Sequence, residues 1–390
     1  MLAMADVVLI GTGITRFGKA LATPLRALVR ESVEEALADA GIGGGDVQAA
    51  YCGNAIAGLI TGQEMVRGQV ALRSMGIEGI PVVNVENACA TGSTALHLAC
   101  TAVASGQYDL VLALGAEKMT HEDRRRPVLA VASALDVEEA VDLDSASPFM
   151  DIYAAKVRDY LAHSEATVED LAGVVVKAQR LGALNPKAQY GGEVTVQQVL
   201  ADPVISDPLT RLMCSPIGDG AAAVVVASAE RARTLGVSRP VRVLASVLQS
   251  GSTPGSGEPA AVRAARLAYE RAAIGPQDLD VVELHDAAAS SELTRYESLQ
   301  LCGPGEGARL LRDGVTDLGG ALPVNTGGGL LARGHPIGAT GCAQVVELCD
   351  QLRGRSGARQ VPGARIALSD NGGGWVGGDS AAECVHVLAT

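Results

Sequence analysis

The chain has 390 residues, of which 48% are hydrophobic and 19% are charged, which excludes a disordered chain or a coiled coil. Its formal net charge of −13 and its aromatic content of 3% argue against binding to nucleic acids and to anionic membrane surfaces. The sequence shows no signal peptide or membrane helix, and its eight cysteines form no C-x-x-C pair. We therefore expect a cytoplasmic protein without a metal site or a disulfide framework.

Strand-like and helical segments alternate along the chain. Residues 7–10 predict a first strand, and apolar residues at helical spacing predict a helix from Leu25 to Ala40. Further strand-like runs follow at residues 82–85, 110–114, 222–226, 281–284 and 365–368. Because these runs are almost continuously apolar, we expect an α/β fold with a mostly parallel sheet that helices cover on both faces.

Two short motifs occur twice, in the same order. The pattern I-G-x-x-D begins at Ile42 and again at Ile274, and the triplet A-T-G occurs at residues 90–92 and 339–341, each time opening a helix rich in small residues. The repeat predicts a duplicated unit with two similar sheets. Residues 1–119 plus about 213–235 would form the N-terminal half, and 236–390 the C-terminal half. Residues 120–212 have no counterpart and are interpreted as an inserted domain of helices and loops.

Cys89 is the first candidate for chemistry, because it lies between a predicted strand and a predicted helix. The free N–H groups and the positive dipole at a helix start lower a thiol pKa and favour the nucleophilic thiolate. The alternative is a buried structural cysteine, which is the commoner role of a cysteine.

His335 and His285 are the candidate partners of Cys89. His335 stands in a glycine-rich loop just before the second A-T-G helix, and His285 follows a predicted strand. If the two halves pack about a pseudo-twofold axis, the starts of the two repeated helices face each other. Taken alone, either histidine is more commonly a structural residue of the surface or core, and the repeat is what favours a functional role.

A run of three glycines at residues 372–374 follows the last predicted central strand, and its N–H groups would suit an anion or oxyanion. The pair Gly11 and Gly13 lacks the third glycine and the helix of a dinucleotide-binding loop, so it carries little weight.

Together these motifs resemble the thiolase superfamily, and within it the thiolase domain of sterol carrier protein X, also called the lipid-transfer-protein thiolases. The resemblance covers nearly the whole chain. It rests on NACATGSTA (87–95), LALGAEKM (112–119), CSPIGDGAAA (214–223), ELHD (283–286), GHPIGATG (334–341), QLRG (351–354) and QVPGARIAL (360–368).

The resemblance implies a five-layered αβαβα sandwich, a homodimer and an acetyl-CoA acetyltransferase-like activity on a coenzyme A thioester, with no permanently bound cofactor. It also implies that the inserted loop domain, residues 120–212, receives the pantetheine arm of coenzyme A and binds substrate. It implies that Cys89 carries the acyl group, that His335 activates the thiol, and that His285 helps to hold the thioester oxygen. The N–H groups of Cys89 and Gly372 would form the oxyanion hole of the acyl-cysteine intermediate.

One feature of the family is missing from this chain. Most thiolases use a second cysteine to move the Cα proton, but the two family positions hold Asp370 and Ala287 here, and Ala288 replaces a neighbouring aromatic. Asp370 is a replacement acid/base if burial raises its pKa, a water held by His285 is another, and a reaction without this step is a third. The two alanines would enlarge the pocket for a bulky or branched acyl group.

Three functions therefore stay open. The first is a thiolase-like C-acyltransferase that cleaves a 3-oxoacyl-CoA or runs the reverse Claisen condensation. The second is a biosynthetic condensing enzyme that uses Cys-His-His alone, and the third is a non-catalytic subunit that binds acyl-CoA or lipid. Relatives without the second cysteine often pair with a small zinc-ribbon/OB-fold subunit, so such a partner is a further possibility.

Overall fold

A computed structural model describes residues 4–138, 145, 147–253, 255 and 257–390, and predictions for the other residues lie outside this description. The strands are β1 (Val7–Ile14), β2 (Ala49–Gly53), β3 (Val82–Val85), β4 (Leu110–Glu117), β5 (Val204–Ser206), β6 (Leu209–Thr210), β7 (Gly220–Ser228), β8 (Val241–Ser250), β9 (Val281–Glu283), β10 (Ile366–Gly373) and β11 (Ala382–Ala389). The helices are α1 (Leu25–Ala40), α2 (Ala57–Thr61), α3 (Arg67–Arg73), α4 (Thr91–Ala104), α5 (Arg125–Ala132), α6 (Pro148–His163), α7 (Val168–Gly182), α8 (Val196–Leu200), α9 (Ala229–Thr234), α10 (Ala260–Ala272), α11 (Ala289–Ser298), α12 (Gly307–Arg312), α13 (Gly329–Ala332) and α14 (Thr340–Arg353).

Nine strands form one sheet in the order β3-β2-β4-β7-β1-β8-β11-β10-β9. Its N-terminal and C-terminal parts join where β1 pairs with β8 over two residues of each strand. Helices α4 and α14 contact strands of both parts and form a central layer between them. Helix α1 covers the outer face of the N-terminal part, and α7, α10 and α11 cover that of the C-terminal part. The five layers α-β-α-β-α predicted for the chain are thus present.

The expectation of a mostly parallel sheet is wrong. Only β2 with β3, β2 with β4, and β9 with β10 pair in parallel, whereas the five other pairings are antiparallel. The continuous apolar runs have a different cause: every residue of β1 and β4 is buried because helices cover both faces of the sheet. Burial on two faces fixes the apolar composition of a strand without fixing its direction.

Two glycine runs that the sequence places after strands lie inside them. Gly11 and Gly13 belong to β1, where an added Cβ atom would lie 2.2 Å from the carbonyl oxygens of Ala36 and Ser32, respectively. These glycines therefore let α1 approach the strand closely. Likewise, β10 continues to Gly373.

The predicted internal repeat is visible in the local structure. Helix α1 is followed by Gly41 and α10 by Ala273, both in the left-handed conformation, with φ of 68° and 55°. In each half a 3-10 turn follows, in which an aspartate side chain accepts from the backbone N–H three residues earlier, at 3.0 Å for Asp46 and 2.8 Å for Asp278.

The segment 120–212 contributes α5 to α8 and the two-stranded sheet of β5 and β6. Its helix α7 packs into the same apolar cluster as α10 and α11. The boundaries of this segment as a domain remain a prediction. None of the helices in the described part of the chain has the length and apolarity needed to cross a bilayer.

Candidate active site

Cys89 lies on the turn between β3 and α4, as the sequence predicts. It occupies the 3-10 helix Ala88–Ala90, and α4 begins at the next residue, Thr91. Ala88 has a φ of 48°, a left-handed conformation that costs a residue with a side chain on the order of 1 kcal/mol. The turn is pressed against β10, because a Cβ on Gly373 would lie only 2.2 Å from the carbonyl oxygen of Asn87.

The structure brings Cys89, His285 and His335 together. One side-chain donor atom from each lies within 4.8 Å of the other two, and all three side chains are buried. The two imidazole rings meet edge to face at a centroid distance of 5.2 Å. The proximity of Cys89 to both histidines is the central prediction from the sequence, and it is confirmed. Among the described residues, this is the one group of three whose donor atoms are close enough together to hold a metal ion.

The hydrogen bonds of His335 fix which of its nitrogens is free. Nδ1 lies 2.7 Å from the Thr340 hydroxyl, which donates its own proton to the carbonyl oxygen of Pro336. The proton between the ring and the hydroxyl therefore belongs to Nδ1. Nε2 is left with a lone pair and, although it is buried, has no hydrogen-bond partner among the described residues. His335 thus presents an acceptor.

His285 has the opposite arrangement. Ser93 donates to Oδ1 of Asn371, which directs the Asn371 amide Nδ2 at His285 Nδ1, 2.8 Å away. Nδ1 therefore accepts, and the ring proton lies on Nε2. One imidazole offers an acceptor and the other a donor, as general base catalysis next to an oxyanion requires.

Burial keeps all three groups neutral at rest. It lowers the pKa of His335 to about 3 and, together with His335 and Arg295, lowers that of His285 well below its usual value. Burial also raises the pKa of the Cys89 thiol to about 12, and the nearby Glu117 adds to this rise. The expected lowering of the thiol pKa at a helix start is thus outweighed by desolvation in the resting protein.

The glycine run of β10 lies beside the sulfur. Gly372, Gly373 and Gly374 line the same cavity as Cys89. The N–H groups of Gly374 and of Cys89 itself interact with the thiol and favour its thiolate. Within the glycine run, the N–H group at the resting sulfur is thus that of Gly374, whereas the predicted oxyanion donor is the N–H of Gly372, two residues earlier.

Asp370 has the burial and the raised pKa that a replacement acid/base requires. It is fully buried, and burial raises its pKa well above the usual range. However, Oδ1 accepts from Arg295 Nη1 at 3.0 Å, and Oδ2 accepts from the His285 N–H at 3.4 Å. Asp370 is not among the residues lining the cavity beside Cys89.

Ala287 and Ala288 pack against the segment that follows β6. The Ala287 carbonyl accepts from the N–H of Ser215 at 2.9 Å, and Ala288 pairs with Cys214. Both alanines are buried, and neither lines the two cavities described below. Because neither alanine lines either cavity, these two residues do not enlarge the acyl pocket as predicted.

Glu117 belongs to the motif LALGAEKM, and in the structure it connects the two halves of the site. Its carboxylate accepts from the N–H groups of Ala55 and Gly338, both at 3.0 Å, and from the Asn54 amide. It therefore holds the loop after β2 against the loop that carries His335. Desolvation raises its pKa to about 7.

Two cavities meet at Phe149, at the start of α6. The first, of about 430 Å³, contains Cys89 and His285 and is lined along one side by α6. The second, of about 670 Å³, is lined by the inserted segment and by Ser215 and Pro216, and the cations Lys19 and Arg211 also line it.

Comparison with known proteins identifies the family of the chain. Residues 7–230 match the family "Thiolase, N-terminal domain", and residues 249–390 match "Thiolase C-terminal domain-like". An acetyl-CoA acetyltransferase of Methanothermobacter thermautotrophicus is 41% identical over 99% of this chain and 100% of that protein. The benzoylsuccinyl-CoA thiolase subunit BbsB of Thauera aromatica is 38% identical over 94% of both chains. Human sterol carrier protein 2 is 37% identical over 94% of this chain and 69% of its own length.

Solved structures show the same fold. The Ltp2-ChsH2(DUF35) aldolase superposes with a TM-score of 0.81 at 25% identity, over 100% of this chain and 99% of that chain. Human mitochondrial 3-ketoacyl-CoA thiolase in complex with CoA superposes with a TM-score of 0.75 at 16% identity, over 100% and 99%. With its two matched domains and its site of one cysteine and two histidines, the chain belongs to the thiolase family of acyltransferases.

Proposed function

We propose that the protein is an acyl-CoA C-acyltransferase that works through a thioester on Cys89. The observation that carries the proposal is that the Cys89 sulfur and one ring nitrogen from each of His335 and His285 lie within 4.8 Å of one another, in rings whose hydrogen bonds leave His335 an acceptor and His285 a donor. An acyl transfer needs a nucleophile, a base and a hydrogen-bond donor for the developing oxyanion.

In the thiolytic direction, Nε2 of His335 takes the proton of the Cys89 thiol while the sulfur attacks the 3-oxo carbon of the substrate. The N–H groups of Cys89 and of the glycine run, with Gly372 as the predicted donor, stabilise the oxyanion, each contributing about 3 kcal/mol. The bond between C2 and C3 then breaks, leaving the acyl group on sulfur and the enolate of the departing acyl-CoA. Nε2–H of His285 donates to the oxygen of this enolate.

The protons balance without a second cysteine. The proton that His335 took from Cys89 passes to C2 of the enolate and completes the first product. In the second half-reaction, His335 takes the proton of a CoA thiol, the CoA sulfur attacks the acyl thioester, and the released Cys89 sulfur recovers the proton. Asp370, whose oxygens are already engaged, then positions His285 and Arg295.

The two cavities suggest how the substrate is divided. The second cavity, with Lys19 and Arg211 on its wall, suits the coenzyme A arm with its phosphates. The first cavity, which contains Cys89, suits the acyl group, and its volume of about 430 Å³ leaves room for a bulky or branched chain. The name of the 38% identical BbsB refers to such a bulky acyl-CoA.

We also propose assembly with other chains. Strand β3 is a terminal strand of the large sheet, and Met65, Val66, Val70 and Val83 expose apolar side chains on it and on the neighbouring α3 segment. An unpaired edge beside an apolar surface suits pairing with a second copy. We expect Val83→Lys to convert a dimer to a monomer in light scattering, whereas Val204→Lys, on the distant two-stranded sheet, leaves the mass unchanged. A dimeric Val83→Lys protein would contradict this.

A small zinc-ribbon/OB-fold partner is part of the same proposal. It rests on the absence of the second cysteine, on the word "subunit" in the name of BbsB and on the DUF35 partner named with the aldolase. A rise in turnover on addition of such a subunit would support it, and an isolated chain with undiminished turnover would not.

The test of the function is turnover of a 3-oxoacyl-CoA with CoA, followed by product analysis. We expect thiolysis by the native protein and by Cys302→Ala, a half-buried cysteine used as control, and its loss in Cys89→Ala. Acylation of Cys89 without thiolysis would favour the condensing enzyme. Binding without acylation would favour the non-catalytic subunit and overturn the proposal.

A further inference from the structure

The cavity that contains Cys89 also contains two cations, Arg295 of α11 and Lys156 of α6. Arg295 Nη1 lies 3.0 Å from Asp370 Oδ1 and 2.7 Å from Glu383 Oε1. Its Nη2 makes no hydrogen bond with another described residue and lies against Gly372, where an added Cβ would be 2.6 Å away. One half of the guanidinium is thus engaged, and the other half is free beside the glycine run.

Lys156 has no anionic partner among the described residues. Its Nζ lies 4.1 Å above the centre of the Trp375 ring, which stabilises an ammonium only modestly. Lys156 is exposed to solvent at the cavity wall, and partial desolvation and Arg295 lower its pKa to about 8, while Glu383 and Asp379 oppose the shift. An unpaired ammonium at this position gains from an anion that enters the cavity.

The two cations of the cavity differ in how they are paired. Arg295 contacts the carboxyl groups of both Asp370 and Glu383 through Nη1. Lys156 forms no ion pair with a carboxylate among the described residues. The cavity therefore presents one ammonium group without a direct anionic partner.

The two acidic residues that line the cavity, Asp159 and Glu297, already have other partners. Asp159 pairs with His163 at 3.3 Å, and both side chains are more than 70% exposed. Glu297 accepts from the Tyr160 hydroxyl at 2.6 Å and from the N–H of Gly307. Neither acid pairs with Lys156 or Arg295 in the described part of the chain.

We propose that the acyl group accepted by Cys89 carries a carboxylate, which Arg295 Nη2 and Lys156 Nζ bind. The proposal rests on the acyltransferase function and names its substrate class. A planar guanidinium with free N–H groups and an ammonium that line the same cavity suit the two oxygens of a carboxylate. Because Arg295 contacts Gly372, whose N–H is the predicted oxyanion donor, the carboxylate lies within a few bonds of the thioester carbonyl.

The test compares acyl groups that differ only in charge. The acylation rate of Cys89 is measured by intact-protein mass spectrometry with succinyl-CoA and glutaryl-CoA, and with their terminal carboxamide analogues. For the chain length that fits better, we expect the carboxylate to acylate Cys89 at least about tenfold faster than its carboxamide analogue. One charge-assisted hydrogen bond accounts for a rate ratio of this size.

Two variants locate the preference. Lys156→Met removes the unpaired cation without leaving a buried acid alone, and we expect the ratio to fall by about tenfold. Arg295→Lys keeps a charge beside Asp370 and Glu383 but loses the fork, and it should also reduce the ratio. Arg233→Met, an exposed cation of α9 that lines neither cavity, should retain it.

The outcomes separate the two proposals. If acetyl-CoA acylates Cys89 but carboxylate and carboxamide react within twofold, the carboxylate site is refuted and the acyltransferase stands. If no thioester acylates Cys89, the acyltransferase itself fails.

A phosphate of CoA is the other source of anionic oxygens. A carboxylate preference that disappears with pantetheine thioesters, which lack the nucleotide phosphates, would assign the cations to CoA and overturn the proposal.

Discussion

The amide of Asn371 decides whether His285 is a donor, and exchanging that amide tests the mechanism. The bond from Nδ2 to His285 Nδ1 measures 2.8 Å and places the ring proton on Nε2. In Asn371→Leu this bond is lost, and the donor tautomer loses about 1 kcal/mol of preference, which limits the fall in acylation rate to about tenfold. In Asn371→Asp the new carboxylate accepts from Nδ1–H and favours the opposite tautomer, which removes the donor. Loss of one oxyanion donor costs a factor of about 10² to 10³.

The assay is rapid-quench acylation of Cys89 by a 3-oxoacyl-CoA without free CoA at about pH 8, where a neutral imidazole is favoured. This step releases the enolate to which His285 Nε2–H donates. The nitrogen chemical shifts of His285 report the tautomer independently of activity, and thermal unfolding shows whether each variant is folded. Ser93→Ala is a milder control, because it frees the amide to rotate without removing it. A folded Asn371→Asp protein with a rate within twofold of native would refute the reasoning.

Three further predictions concern the thiol, the glycine run and the contact between the halves. Because burial raises the pKa of Cys89 to about 12, its thiolate fraction and its alkylation by iodoacetamide should rise about tenfold per pH unit from pH 7 to 9; a plateau near pH 7 would show a low pKa instead. Gly373→Ala should abolish activity and lower Tm, since its Cβ would meet backbone at 2.2 Å, whereas Gly372→Ala should cost less because its Cβ would meet side chains at 2.6 Å or more; equal effects would contradict this. Glu117→Gln replaces one of two accepting oxygens, each of which accepts from several N–H groups, so N–H groups at that oxygen lose their acceptor and stability falls by about 1 to 3 kcal/mol; an unchanged midpoint in urea would show that the contact is dispensable.

The sequence was sufficient to predict which side chains meet. Cys89 and His335 stand at the starts of two repeated helices, and these starts face each other if the two halves pack about a pseudo-twofold axis. Their proximity to His285 is confirmed by the structure. The helix Leu25–Ala40 was predicted with its observed bounds, because its apolar spacing is regular and Gly41 ends it in a left-handed conformation.

Other features depend on information that no local pattern contains. Strand direction is set by which segments become neighbours, so the antiparallel return of β7 between β1 and β4 was missed. The pKa of Cys89 depends on how deeply the turn is buried, which the helix start does not reveal. Arg295 and Lys156 come from two helices far apart in the chain and belong to no motif, so only the packing of α6 and α11 places them in one cavity.

The most direct test of the account is to trap the reaction with a 3-oxoacyl-CoA in the absence of free CoA, digest the protein and locate the acyl group. The account predicts one acyl group per chain on the peptide that contains Cys89, which is discharged when CoA is added. Turnover by a protein that never carries an acyl group there, or an acyl group on another side chain, would contradict it.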